Sequence, residues 1–242
     1  MVMESFPRRI LAIGGGGFLM DDPRALQERY LVSLCRTTTP KILYLGTASG
    51  DSERAQLKFM KAFTALGCVA NTLPFFPYEM ERDYVAEALA ADLIYVGGGN
   101  TPAMLAVWRE FGFERALRQA NEAGTVLAGV SAGANCWFEN YITDSVPGGG
   151  SRPGLGWLPG TFCPHLDSEA WRQPMLQATP GLAVGAGENV AVLYENEAWV
   201  EAISSAPGAT TAMCWRRSGD AHGDQALAQV EPRALPLARA ST

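Results

Sequence analysis

Between residues 10 and 138 short apolar runs alternate with longer stretches whose apolar positions recur at helical spacing, and glycine-rich turns lie between them. Uninterrupted apolar runs suit strands covered on both faces, and their alternation with amphipathic segments predicts a mostly parallel α/β sheet. Strands are expected at Ile10 to Ile13, Lys41 to Leu45, Val69 to Leu73, Leu93 to Val96 and Val126 to Gly129. Helices are expected from Asp22 to Leu34, Ser52 to about Leu66, Tyr84 to Ala90, Thr101 to about Glu110 and Glu114 to Glu122. Asp22 and Ser52 are cap residues, while Pro23 and Pro102 suit a first helical turn, where a missing N–H leaves no bond unmade.

The pattern changes beyond Asn140. Residues 147–160 hold six glycines and three prolines, which favours turns over regular structure. Val190 to Tyr194, Trp199 to Ser204 and Thr210 to Trp215 then read as strands separated by turn-prone segments, an antiparallel addition at the sheet edge. From about Ser218 periodicity fades, and the tail is expected to be loosely attached to a single domain spanning residues 1–242.

Composition narrows the function. The chain is 48% hydrophobic and 18% charged, values of an ordinary globular protein. A net charge of −6 with scattered lysines and arginines argues against nucleic acid and for a small substrate. No apolar stretch approaches the roughly 20 residues of a membrane span, and the start of the chain offers no room for a signal peptide, so a cytoplasmic location is expected. Five widely spaced cysteines without a C-x-x-C pair suggest neither a disulfide framework nor a zinc site.

The candidate chemistry lies where the fifth strand meets its helix. Gly129-Val130-Ser131-Ala132-Gly133 fits a nucleophile elbow, a sharp turn that exposes a hydroxyl between small neighbours. The residues after Ser131 read as a helix continuing through Phe138. A serine nucleophile needs a base, and the chain has only two histidines, of which His165 follows the glycine-rich stretch and His222 lies in the weakly patterned tail. Asp144 and Glu139 are the candidates for the carboxylate that orients His165. Asp144 is favoured, because helical rise would put Glu139 about 12 Å from Ser131. Gly98 and Gly99, after the fourth strand, would share the sheet edge with Ser131, so that their N–H groups and that of Ala132 could form an oxyanion hole. Asn100 beside them is a candidate substrate contact. The run Gly14 to Gly17 invites a dinucleotide-binding reading, but Phe18 to Pro23 intervenes before any helix and no acidic residue ends the second strand. An ester hydrolase and a noncatalytic binding protein on the same fold are the alternative functions.

Taken together, Ala12 to Gly16, Ile42 to Leu45, Tyr95 to Thr101, Val130 to Asn135 and Cys163-Pro164-His165 resemble the dipeptidase E family of serine peptidases, which includes aspartyl dipeptidases and, more distantly, cyanophycinases. The resemblance implies a flavodoxin-like three-layer sandwich of the class I glutamine amidotransferase kind, with serine in place of the elbow cysteine. It also implies a peptide substrate, no cofactor, and a monomer or homodimer. The family's serine and histidine map onto Ser131 and His165, and its intervening acid onto Asp144, with Glu139 as the alternative. Cleavage after an N-terminal aspartate would require a cation, for which Arg172 is the first candidate and Arg152 the second.

Overall fold

The computed structural model describes residues 6–20, 22–76, 80–206, 214–217 and 227–236. The first half contains β1 (Arg9–Ile13), α1 (Leu26–Ser33), β2 (Lys41–Leu45), α2 (Glu53–Ala65), β3 (Val69–Thr72), α3 (Tyr84–Leu89), β4 (Leu93–Val96), α4 (Thr101–Glu110), α5 (Phe113–Glu122) and β5 (Val126–Val130). A single turn, α6 (Ala132–Asn135), leads into β6 (Phe138–Thr143), β7 (Gly150–Pro153), β8 (Leu158–Cys163) and α7 (Arg172–Ala178). The chain continues through β9 (Ala183–Ala186), β10 (Val190–Glu195), β11 (Ala198–Ser204), β12 (Cys214–Arg217), β13 (Ala228–Val230) and β14 (Arg233–Ala234).

The larger sheet has the order β14-β11-β10-β1-β5-β4-β2-β3. Its strands β1, β5, β4, β2 and β3 are parallel, so their carboxyl ends share one edge. β10 and β11 extend it antiparallel beyond β1, the position expected of an addition at the edge. Alternate residues of the parallel strands enter two cores. Leu11, Ile42, Tyr44 and Tyr95 pack with Phe59 and Phe63 of α2, whereas Ile10, Leu43, Ile94 and Val96 pack with Met104 and Trp108 of α4 and Leu117 of α5. Helices on both faces of a mostly parallel sheet give the expected three-layer sandwich.

Three expectations change. The helix after β1 starts at Leu26 rather than Asp22, because Ala25 takes a left-handed φ of 48° and the Asp22 carboxylate is bound by the Arg24 backbone and guanidinium. The helix after Ser131 stops at Asn135. Phe138 instead enters β6, stacking on Phe162 at 4.7 Å and meeting Tyr194 edge-on at 5.6 Å. Finally, the region read as turns contributes to a second sheet, β13-β12-β9-β8-β6-β7, which shares the α4 and α5 core on one side and covers α7 on the other. The third C-terminal strand joins this second sheet. Part of the segment expected there, 210–213, and His222 lie outside the described residues.

Candidate active site

Ser131 stands at the carboxyl end of β5 with φ 56° and ψ −112°, a backbone conformation that non-glycine residues rarely adopt. Its N–H donates to the Ile13 carbonyl at 2.9 Å, and its own carbonyl receives the N–H groups of Ala134 and Asn135. The flanking glycines are steric requirements. A Cβ on Gly129 would overlap the Gly133 backbone, and one on Gly133 would overlap the Val96 carbonyl. The small-residue pattern is therefore what lets α6 start against two strand ends.

The loop between β4 and α4 faces the serine. A Cβ built on Gly98 would lie 3.4 Å from Ser131 Cβ and 3.9 Å from its Oγ, so the Gly98 backbone borders the hydroxyl. Gly99 has φ 138°, glycine territory, and a side chain there would strike the Ala48 carbonyl. Asn100 is already committed. Its Oδ1 caps α4 by accepting from Ala103 N at 2.9 Å, and its Nδ2 donates to the Ser145 carbonyl at 2.9 Å. The side chain expected to bind substrate thus ties two loops of the site together.

His165, at the end of β8, has φ 53°, and its Nδ1 lies 2.5 Å from Glu188 Oε1. A carboxylate oxygen facing Nδ1 favours the imidazole tautomer with its proton on Nδ1, and in the neutral ring of that tautomer Nε2 offers a lone pair. Glu188 sits in the turn between β9 and β10, pairs with Gly15 at the end of β1, and lays its carboxylate over the Gly15 Cα. Ser131 is bonded to Ile13 two residues earlier, so β1 brings the elbow and the histidine–carboxylate pair to one sheet edge. Three of the four glycines after β1 find their explanation here. Side chains at Gly14, Gly15 and Gly16 would run into Ala186, Glu188 and Asn189 in turn.

The acids expected beside His165 are elsewhere. Asp144 is 58% exposed, and its Oδ1 lies 3.6 Å from Arg172 Nη2. Glu139 is on β6 rather than on a helix, and its Oε2 accepts from Gly160 N at 2.8 Å. Glu188 follows the histidine in the chain, outside the interval between Ser131 and His165 that holds Asp144 and Glu139. A carboxylate flanked by Gly187 and Asn189, in a turn at a strand end, was the available signal. Arg172 is buried, bonded to Glu169 at 2.9 Å, and its guanidinium sits 4.4 Å from the Trp171 ring centre. Arg152 is partly exposed, with one guanidinium N–H given to the Ser151 carbonyl.

Cys163 and Cys136 lie near the site but cannot compete as nucleophiles. Burial pushes the Cys163 thiol up to about 12 and that of Cys136 well above its ordinary value, so both remain thiols at neutral pH. Among the described residues no group of three or more His, Cys, Asp or Glu side chains could hold a metal ion.

An elbow serine at the edge of a parallel sheet, with a histidine–carboxylate pair brought to that edge, is the arrangement of a serine-type hydrolase. A solved peptidase from an acI-B1 actinobacterium has the same fold, with a TM-score of 0.71 at 18% identity over 93% of this chain and 94% of that one. A candidate peptidase E from Listeria monocytogenes EGD-e superposes with a TM-score of 0.61 at 14% identity, covering 80% of this chain and 97% of its own. The uncharacterized peptidase YgaJ of Bacillus subtilis (strain 168) is 40% identical over 207 residues, 84% of this chain and 90% of that protein. The model of peptidase family S51 matches residues 10–202. The chain belongs to peptidase family S51 and is a serine-type peptidase, in agreement with the dipeptidase E resemblance.

Proposed function

We propose that the chain hydrolyses short peptides through an acyl-enzyme formed on Ser131. In this reading His165 Nε2 takes the proton from Ser131 Oγ as the oxygen attacks the scissile carbonyl. The N–H groups of Ala132 and of Gly98 or Gly99 receive the developing oxyanion. His165 then gives its proton to the leaving amine, and a water repeats the sequence to release the acid. Glu188 holds the imidazole in the tautomer that can act as base and stabilises the imidazolium. The observation that carries the reading is the 2.5 Å contact between His165 and Glu188 at the sheet edge that also holds the strained Ser131.

Preference for an N-terminal aspartate is the finer question. The guanidinium of Arg172 is shared by Glu169 and Asp144, which weakens it as an anchor for an acidic side chain, and Arg152 is the less committed cation. We place the activity in the cytoplasm, in a single-domain monomer or homodimer. Four free cysteines among the described residues support a reducing compartment, and no helix among those residues is long and apolar enough to cross a membrane. A hydrolysis screen of dipeptides varied at the first residue, with Ser131→Ala as the blank, tests class and preference together. Turnover surviving in the blank would remove Ser131 from the mechanism.

A further inference from the structure

The turn that presents Glu188 is held by one side chain from the loop that presents His165. Asp167 lies two residues beyond the histidine, and its Oδ1 accepts the Glu188 backbone N–H at 2.8 Å. Its carboxylate occupies the space that a side chain on Gly187 would need. The same two loops meet once more through the backbone, where Leu166 N donates to the Ala186 carbonyl at 3.2 Å. On the histidine side, Ser168 closes a turn onto the His165 carbonyl with its N–H and its hydroxyl.

We infer that Asp167 is a positioning residue for the His165–Glu188 pair. It joins the backbone of the carboxylate donor to the chain of the imidazole, so the separation of the two side chains does not depend on Glu188 rotamers alone. This matters because His165 and Glu188 are both partly exposed and Glu188 sits in a turn, where packing by itself restrains a long side chain weakly. A carboxylate accepting a backbone N–H in the turn between the two sheets has reduced rotamer freedom and fixes the peptide plane from which the Glu188 side chain departs. Gly187 is the complementary half of the device. Its φ is not in the left-handed region, so glycine is needed there for space rather than for backbone conformation.

The inference rests on His165 and Glu188 acting as the base and its orienting acid. Asp167→Asn keeps an acceptor for the Glu188 N–H, whereas Asp167→Ala removes it. Asp167→Ala is expected to lower kcat by on the order of tenfold to a hundredfold, the scale of a displacement of about 1 Å in a catalytic group, with KM within about twofold. Asp167→Asn should restore most of kcat. Gly187→Ala, which evicts the Asp167 carboxylate from the other side, should give a similar loss, and adding Asp167→Ala to it should lower kcat no further.

A readout independent of turnover is the Nδ1 proton of His165 in histidine-labelled protein. With only two histidines in the chain its assignment is direct. A slowly exchanging downfield signal present in the parent and in Asp167→Asn, but lost by exchange in Asp167→Ala, supports the inference even if the parent cleaves no tested peptide. Unchanged kcat and an unchanged Nδ1 signal in folded Asp167→Ala would overturn it while leaving Ser131 labelling, and hence the peptidase mechanism, intact. An equal loss in Asp167→Asn and Asp167→Ala would overturn the hydrogen-bond account.

Discussion

His165 Nδ1 and Glu188 Oε1 stand 2.5 Å apart across a separation of 23 residues, joined by the pairing of Glu188 with Gly15 at the end of β1. The contact makes the acid partner of the histidine a residue that follows it in the chain. Glu188→Gln is therefore expected to lower kcat by roughly a hundredfold to ten-thousandfold, since an amide can present the wrong group to Nδ1 and trap the other tautomer. Asp144→Asn and Glu139→Gln should each stay within about tenfold of the parent. Steady-state kinetics on the three variants decides, and a larger loss in Asp144→Asn would return that residue to the catalytic group.

Ser131→Ala and His165→Ala should each lower turnover by several orders of magnitude, and the double variant should be scarcely worse than either, because nucleophile and base act as a unit. Labelling by a fluorophosphonate probe should vanish in the first variant and slow strongly in the second. Circular dichroism should show both folded, since neither side chain lies in the apolar cores.

Arg172→Met is expected to reduce stability by about 1–3 kcal/mol through loss of the charge-assisted hydrogen bond to Glu169 and the ion pair with Asp144. It should leave the ratio of Asp-Leu to Asn-Leu hydrolysis unchanged. The cost is moderate because Glu169 and Asp144, 40% and 58% exposed, recover water when the cation goes. Denaturant midpoints and the two kcat/KM values measure it. A collapse of the ratio would restore Arg172 as a substrate anchor.

Glu28 supplies a pH dependence of stability. Its Oε1 accepts from Phe18 N at 2.6 Å, and burial raises its carboxyl above the usual value despite that bond. A carboxyl whose folded value is raised contributes stability that is complete below the unfolded value, about 4.3, and is lost as pH rises through the folded value. Glu28→Gln keeps an acceptor for Phe18 and carries no charge. The free energy of unfolding of this variant should gain on that of the parent between pH 4 and pH 8, as measured by urea denaturation. A difference independent of pH would show that Glu28 ionises without penalty.

Much of the larger sheet was legible because its signals are local. β2, β4 and α4 fall within the apolar runs and the cap-and-proline pattern that announced them, and the glycines around Ser131 state by their small size that backbones must meet there. The start of α1 departs from the expected one because Asp22 bonds Arg24 in a local turn instead of capping a helix. The run after Ser131 looked helical because Ala-Asn-Cys-Trp-Phe contains nothing that forbids a helix. Its fate was decided by Phe162 and Tyr194, aromatic partners far along the chain.

By itself the sequence determined the parallel α/β core, the sheet edge of the candidate site, and Ser131 and His165 as the residues to test. Each follows from short-range constraints: strand and helix periods, space for a tight turn, and the scarcity of imidazole. Only the tertiary structure decided the second sheet, whose short strands are interrupted by turns and paired across long separations, and which carboxylate meets His165, Glu188 rather than Asp144 or Glu139. That choice depends on where the turn between β9 and β10 meets the glycines after β1. A carboxylate acts only on an imidazole within hydrogen-bond reach, and which carboxylate comes within reach is set by strand pairing between residues distant in the chain.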